Sequence, residues 1–326
     1  MGGTTVSDFT RIAFAAVAAV LACVAPVGAQ QFPNKPVKIV VPYPPGGATD
    51  IVVRLYAPGV GEALGHPVIV ENKAGAGTNL AGEAVARSAP DGHTLYVASF
   101  ASHSVNRWLY KKMPYDPAKD LVGVAMISRS PMFLCVKPGS PFKSAGELVA
   151  FGTANPGKLT YGSTGNGSPN HISGALLAHL GKFDAVHVPY KGSAELQADL
   201  LAGQIDYGFD GAVIAHHRSG KLKCIATGSA SPWPTDPEFP PVGKDVTGFD
   251  MSAYFGITAP AGTPADVIEK LNAAFLKVAR TAELAEKLKI TSATPFPTTV
   301  KETQDFLNKE LVRWEDVIKA SGAKVD

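Results

Sequence analysis

Cysteine is scarce: three residues in a chain of 326 do not make a small disulfide-built scaffold. An excess of one charge is also missing, with 30 Lys and Arg against 28 Asp and Glu, and no run of five or six basic side chains occurs. That argues against nucleic acid as a partner and against a basic membrane-surface strip. There is no internal repeat, and only the first thirty residues hold an apolar run long enough to discuss as a membrane or export signal. What is abundant is glycine, at 33, and proline, at 26, in a chain that is 45% hydrophobic and 18% charged. These are the proportions of a turn-rich globular protein, long enough for two domains or one large one.

The apolar run follows Arg11. It reads Ile12-Ala-Phe-Ala-Ala-Val-Ala-Ala-Val-Leu-Ala-Cys-Val24, then Ala25-Pro-Val-Gly-Ala29. A basic start, a short uncharged core and small residues at the end predict Sec export with cleavage after Ala29, because a spanning helix needs about 20 apolar residues. A lipoprotein reading would use Val20-Leu-Ala-Cys23, but Leu21 is bulky for its place there. Cleavage would leave Cys135 and Cys224, each inside an apolar strand-like run. Buried free thiols and a disulfide are both open.

Along the rest of the chain, short β-branched runs alternate with stretches of helical spacing. The runs Val37-Lys-Ile-Val-Val41, Val68-Ile-Val70, Leu95-Tyr-Val97, Leu159-Thr-Tyr161, Ala185-Val-His-Val188 and Ile205-Asp-Tyr-Gly-Phe209 predict βα units and parallel sheets. Two C-terminal helices stand out. Thr263 as N-cap with Pro264 at the first position opens one, and the capping box Thr299/Glu302 opens the next, where Leu307, Leu311, Trp314 and Ile318 form one apolar stripe. Extended crossovers at 130–138 and 253–260 bracket about 120 residues. That arrangement predicts one domain inserted into another, with residues 30–130 and 254–326 in the first and 131–253 in the second.

Two loops could carry chemistry. Pro42-Tyr-Pro-Pro-Gly-Gly-Ala-Thr-Asp50 leaves the first strand and runs straight into a helix, so its backbone N–H groups could hold an anion, or Thr49 or Asp50 could simply cap that helix. Gly162-Ser-Thr-Gly-Asn-Gly-Ser-Pro-Asn-His171 repeats the device, with the same two readings. Enzyme motifs fail. Leu80 stands where a dinucleotide fingerprint needs its third glycine, no G-x-S-x-G is present, and 139–144 is no P-loop. His216 and His217 would diverge on a helix and are expected as a solvated pair, so no metal and no cofactor is predicted.

The run 42–50, with Val70-Glu-Asn-Lys-Ala-Gly-Ala-Gly77, Pro90-Asp-Gly-His-Thr-Leu95, Gly165-Asn-Gly-Ser-Pro-Asn-His171, Val188-Pro-Tyr-Lys-Gly192 and Ala259-Pro-Ala-Gly-Thr-Pro264, resembles the Bug family over essentially the whole mature chain. These are the TctC-like extracytoplasmic receptors of tripartite tricarboxylate transporters. The resemblance implies a type II periplasmic-binding-protein fold, with two α/β domains joined by paired strands and closing on a small carboxylate. It implies a monomeric periplasmic receptor with two membrane permease subunits as partners, one large and one small, and no enzyme activity.

Carried over position by position, the ligand would meet Pro45, Gly46, Gly47 and Asp50 on one side. On the other it would meet Ser163, Thr164, Gly165 and Ser168, with His171 starting the helix. Ser99, Ser102 and His103 in the 98–103 turn, with Tyr190, Lys191 and Asp210, would line the remaining wall. Phe100, where members often carry a small polar residue, would narrow the pocket or favour an apolar ligand body. Pro58 would end or kink the first helix. The fold so implied also brings Cys135 near Cys224. Two rival outputs stand beside transport: the same receptor presenting its ligand to a sensor kinase, and a secreted hydrolase, which lacks a recognisable nucleophile and base.

Overall fold

The computed structural model describes residues 32–322, so the export segment and the cleavage after Ala29 lie outside the described residues. The strands, in chain order, are β1 (Val37–Val41), β2 (Val68–Asn72), β3 (Thr94–Ser99), β4 (Leu121–Pro131), β5 (Phe133–Val136), β6 (Leu159–Ser163), β7 (Ala185–Pro189), β8 (Tyr207–Asp210), β9 (Lys223–Thr227), β10 (Ser252–Pro260) and β11 (Thr294–Pro295). They form a larger sheet in the order β11-β4-β10-β3-β1-β2 and a smaller one in the order β7-β6-β8-β5-β9.

Parallel neighbours need a crossover, and helices supply it. Ala48–Leu64 joins β1 to β2, and Pro169–Gly181 joins β6 to β7. The first of these helices buries Val52, Val53, Tyr56, Val60 and Leu64 in one core with Ile268, Leu271 and Phe275 of the helix Ala265–Ala279. Pro58 lies inside Ala48–Leu64 and neither ends it nor starts a new helix. The helix does not end there: Pro58 sits on the exposed face, while the buried residues on either side hold the helix against the sheet.

At the C-terminal end the capping box is in place, with the Glu302 N–H donating to Thr299 Oγ1 and the Thr299 N–H to Glu302 Oε2. The helix Ala265–Ala279 starts one residue later than expected. Pro264 is its N-cap, and Thr263 instead donates to the Pro260 carbonyl at 2.8 Å. The stripe Leu307, Leu311, Trp314, Ile318 is buried as a set, but Trp314 divides it between helices Val300–Arg313 and Glu315–Ser321. The second of these shares its core with Ile172, Leu176 and Leu177, so the tail of the 254–326 segment lies on the smaller sheet's helix Pro169–Gly181.

The chain passes between the sheets twice. Met132 alone separates β4 from β5, and the return runs from β9 to β10. The Gly228 N–H donates to the Met132 carbonyl and the Met251 N–H to that of Gly228, both at 2.6 Å, stapling the two passages together. The registers place Ser99 of β3 opposite Phe255 and Asp210 of β8 opposite Phe133, so β1, β3, β6 and β8 all end on the edges that the crossings join. In open α/β sheets, ligands bind outside such carboxyl ends.

Cys135 and Cys224 face each other across β5 and β9 and form a disulfide. The histidine pair is not simply solvated: His217 Nδ1 accepts the Cys224 N–H at 3.1 Å, and its ring stands edge-on to Phe239. No helix among the described residues is long and apolar enough to cross a membrane, and no group of three metal-ligating side chains occurs among them.

Candidate functional site

Pro42 closes β1 and the helix Ala48–Leu64 begins six residues on, so the loop between must turn within reach of its own helix. Asp50 makes this possible. Its carboxylate, 3% exposed, accepts the Gly46 N–H at 2.9 Å, Arg54 Nε at 2.9 and 3.0 Å, and Asn72 Nδ2 at 2.9 Å. Asn72 also donates to the Tyr43 carbonyl. Burial pushes the Asp50 carboxyl up, but the bonds from Arg54, Gly46 and Asn72 outweigh it and hold the group below the ordinary carboxylate range. Asp50 is thus the internal stake of the loop, and Gly46 spends its N–H on it.

What the loop leaves free is the helix start. Gly47, the N-cap, has no capping side chain, and the amides of Ala48, Thr49 and Asp50 donate to no protein acceptor. Pro44, Pro45, Gly46, Gly47 and Ala48 are exposed around them. Three N–H groups without a protein acceptor therefore stand at the head of a 17-residue helix, an arrangement able to hold an anion.

The 98–103 turn is built differently from the expectation. Ser99 and Ser102 cap one another, with the Ser102 N–H on Ser99 Oγ and the Ser99 N–H on Ser102 Oγ, and both are buried. The Tyr43 hydroxyl shares a 2.8 Å bond with Ser99 Oγ, tying this turn to the first loop. His103 turns away, with Nε2 3.1 Å from the Leu307 carbonyl, and burial lowers its pKa to about 4. Phe100 is 2% exposed and meets Trp314 and Tyr254 edge-on. It fills core and does not narrow a pocket, because the turn following β3 rolls its ring under the helix Val300–Arg313.

The second loop is largely satisfied from within. Ser163, fully buried, accepts the Gly165 N–H and lies 2.6 Å from His187 Nε2. Ser168 caps the helix Pro169–Gly181 by accepting the His171 N–H, and Pro169 has none to offer. The Gly167 N–H goes to His171 Nδ1 at 3.1 Å. The His171 ring stacks on that of His187, centroids 3.9 Å apart, and burial lowers both pKa values to about 4. Only the amides of Thr164 and Asn166 donate to no protein acceptor in the loop proper. The Ser163–His187 contact superficially pairs a nucleophile with a base, but the hydroxyl is sealed off and the imidazole is a poor base at neutral pH.

Around the remaining wall, the Thr164 hydroxyl donates to Asn170 Oδ1 at 2.8 Å, and Asn170 Nδ2 donates to the Phe209 carbonyl at 2.7 Å. Asp210 accepts from the Ser193 hydroxyl and the Ala212 N–H, and burial raises its pKa despite these bonds. Tyr190 donates to Asp199 at 2.8 Å and its phenol is pushed up to about 12, first by burial and then by Asp199. Lys191 is exposed, with its N–H on Glu195.

In the structure Pro45, Gly46 and Gly47 follow β1, Thr164, Gly165 and Ser168 follow β6, Tyr190 and Lys191 follow β7, and Asp210 ends β8. The fold places Asp50, Ser99, Ser102, Ser163 and His171 behind them as supports, and His103 away from them. The supports Arg54, Asn72, Asn170 and His187 were missed. Asn72, Asn170 and His187 stood inside quoted strings, but their partners Asp50, Phe209 and Ser163 lie more than twenty residues away.

Against known proteins, residues 52–323 match the model of the tripartite tricarboxylate transporter family receptor. Protein BugT of Bordetella pertussis is 34% identical over 306 residues, 92% of this chain and 94% of its own. Among solved structures, an R. palustris protein with adipate aligns at a TM-score of 0.76 and 31% identity, covering 90% of this chain and all of that one. MatC from Rhodopseudomonas palustris, with bound malate, aligns at 0.72 and 33%, covering 88% and 100%. The two-sheet α/β architecture is therefore that of a periplasmic solute-binding protein. Taken with the extent of these matches, it makes the chain a member of the tripartite tricarboxylate transporter receptor family, whose members are solute-binding receptors and not enzymes.

Proposed function

We propose that the two sheets with their helices act as two lobes, and that the chain captures a small organic carboxylate between them. One observation carries the reading: three unpaired amides at the uncapped head of the helix Ala48–Leu64 open onto the edge that the crossings join to the second loop. An anion there gains from the helix dipole, by about 0.3–1 kcal/mol when exposed and up to ~2 when lobe closure removes water. Thr164, Gly165 and Ser168 would close from the other side, with Tyr190 and Lys191 at the rim. The adipate and malate held by its relatives support a carboxylate. The family supports delivery of the closed complex from the periplasm to one large and one small membrane subunit.

A melting scan against mono-, di- and tricarboxylates, aromatic acids and acidic amino acids tests the ligand class. A ligand at 100 times its Kd adds ~2.7 kcal/mol and gives a clear shift. Shifts with sugars or cations alone would overturn the anion reading. Uptake in a receptor-deletion strain tests delivery: undiminished uptake of the ligand would place the output elsewhere, such as a sensor kinase.

A further inference from the structure

Arg129 lies on β4, three residues before the crossing at Met132. Its guanidinium stands over two rings that come from different sides of the molecule. One is Trp233, in the proline-rich loop after β9 of the smaller sheet, at 5.0 Å; the other is Phe296, just after β11 of the larger sheet, at 5.3 Å. Trp233 is 2% exposed, and its indole N–H finds no protein acceptor. Beside it, a groove of about 350 Å³ runs between Arg218, Pro234, Thr235 and Asp236 on one side and Lys289 and Ser292 on the other.

Sheet order fixes where this flank sits. In the larger sheet the crossing strands β4 and β10 separate β3, β1 and β2 from β11. In the smaller sheet, β5 and β9 lie on the far side of β8 from β6 and β7. The candidate ligand loops follow β1, β3, β6 and β8, whereas Arg129, on the crossing strand β4 opposite β11, meets Trp233 and Phe296 on the other flank. On the two-lobe reading above the lobes would turn about the crossings, which makes the two flanks the two arms of one lever. Rotation that narrows the ligand edge draws the other flank apart.

We propose that Arg129 and Trp233 are affinity-setting positioning residues: their stack holds the flank behind the crossings together and so opposes closure on the ligand. The stack never touches the ligand, and it sets what closure must overcome. The orphaned indole N–H fits such a poise, because separating the flank returns that group to water and offsets part of the lost stacking. This inference rests on the two-lobe receptor reading above.

The test begins without ligand. Nitroxide labels at Ala74→Cys and Ala194→Cys, one beyond the carboxyl end of β2 and one beyond that of β7, report the distance across the ligand edge. Arg129→Met, which keeps the stem and removes the charge, and Trp233→Ala should both shift the ligand-free distribution to shorter distances. With adipate or malate, whichever raises the melting temperature of the unmodified protein, Kd should tighten by about two- to thirty-fold, the range of a cation–aromatic contact. The gain should appear as slower release. Unchanged or longer distances in Arg129→Met overturn the proposal, even if Trp233→Ala fails to fold. Failure of both acids to bind the unmodified protein would count against the ligand class and leave the distance measurement decisive.

Discussion

The Gly46 N–H and the Asp50 carboxylate meet at 2.9 Å, so the glycine and the acid of the first loop serve each other before they serve any ligand. With φ at +84° Gly46 is also confined to a conformation that other residues resist, at about 1–3 kcal/mol. Gly47 is the better probe: its φ of −77° suits any residue, and a Cβ there would meet only the Pro44 carbonyl, at 3.7 Å.

Gly47→Asp is therefore expected to keep or slightly raise the melting temperature, because aspartate is a good N-cap, while costing at least about tenfold in carboxylate affinity. Calorimetric titration beside a melting curve separates the two effects. Retained affinity in a well-folded variant would move the ligand away from this helix start.

Phe100→Ala should destabilise the protein by about 3–5 kcal/mol, read from urea midpoints, since the ring is buried between Trp314 and Tyr254. The order of preference among carboxylates should be unchanged. An altered order with little loss of stability would return Phe100 to the pocket wall.

His103, His171 and His187 each titrate near 4 in the fold and near 6.5 when unfolded, chiefly because burial disfavours the charged ring. The unfolded chain then binds more protons between those values. Stability is full above about pH 6.5 and falls toward pH 4, by at most about 1.4 kcal/mol per ring per pH unit. His187 is only half enclosed and contributes less. A His187→Gln variant should show a shallower decline in melting temperature over this range; an equally steep one would remove the stacked pair from the explanation.

Free-thiol titration under denaturing, non-reducing conditions should find one reactive thiol, Cys23, in the full chain and none in a chain beginning at Gln30. Replacing Cys135 and Cys224 together by alanine should cost about 2–4 kcal/mol, because the bridge closes a sequence separation of 89 residues.

Local signals were readable where local forces decide. The Val37–Val41 strand, the Thr299/Glu302 capping box and the uncapped exit from β1 are set by residues within a few positions of each other. Long-range partners were not readable. Asp50 resembles a helix cap until Asn72, twenty-two residues on, claims its other oxygen. Nothing in the string around His171 points to His187, and nothing around Phe100 points to Trp314. Pro58 does not end its helix, because it falls on the exposed face and the buried residues on either side carry the helix past it.

Met132 is the whole of the passage from β4 to β5, and its carbonyl is held by Gly228. A link of one residue cannot swing; it can only twist. If the two sheets act as lobes, as proposed, this link limits their relative motion at that passage to little more than a twist, and closure on a ligand would freeze a rotation instead of ordering a loose tether. Little of the binding free energy would then be consumed by chain entropy, which would let a ligand of few atoms close a protein of this size.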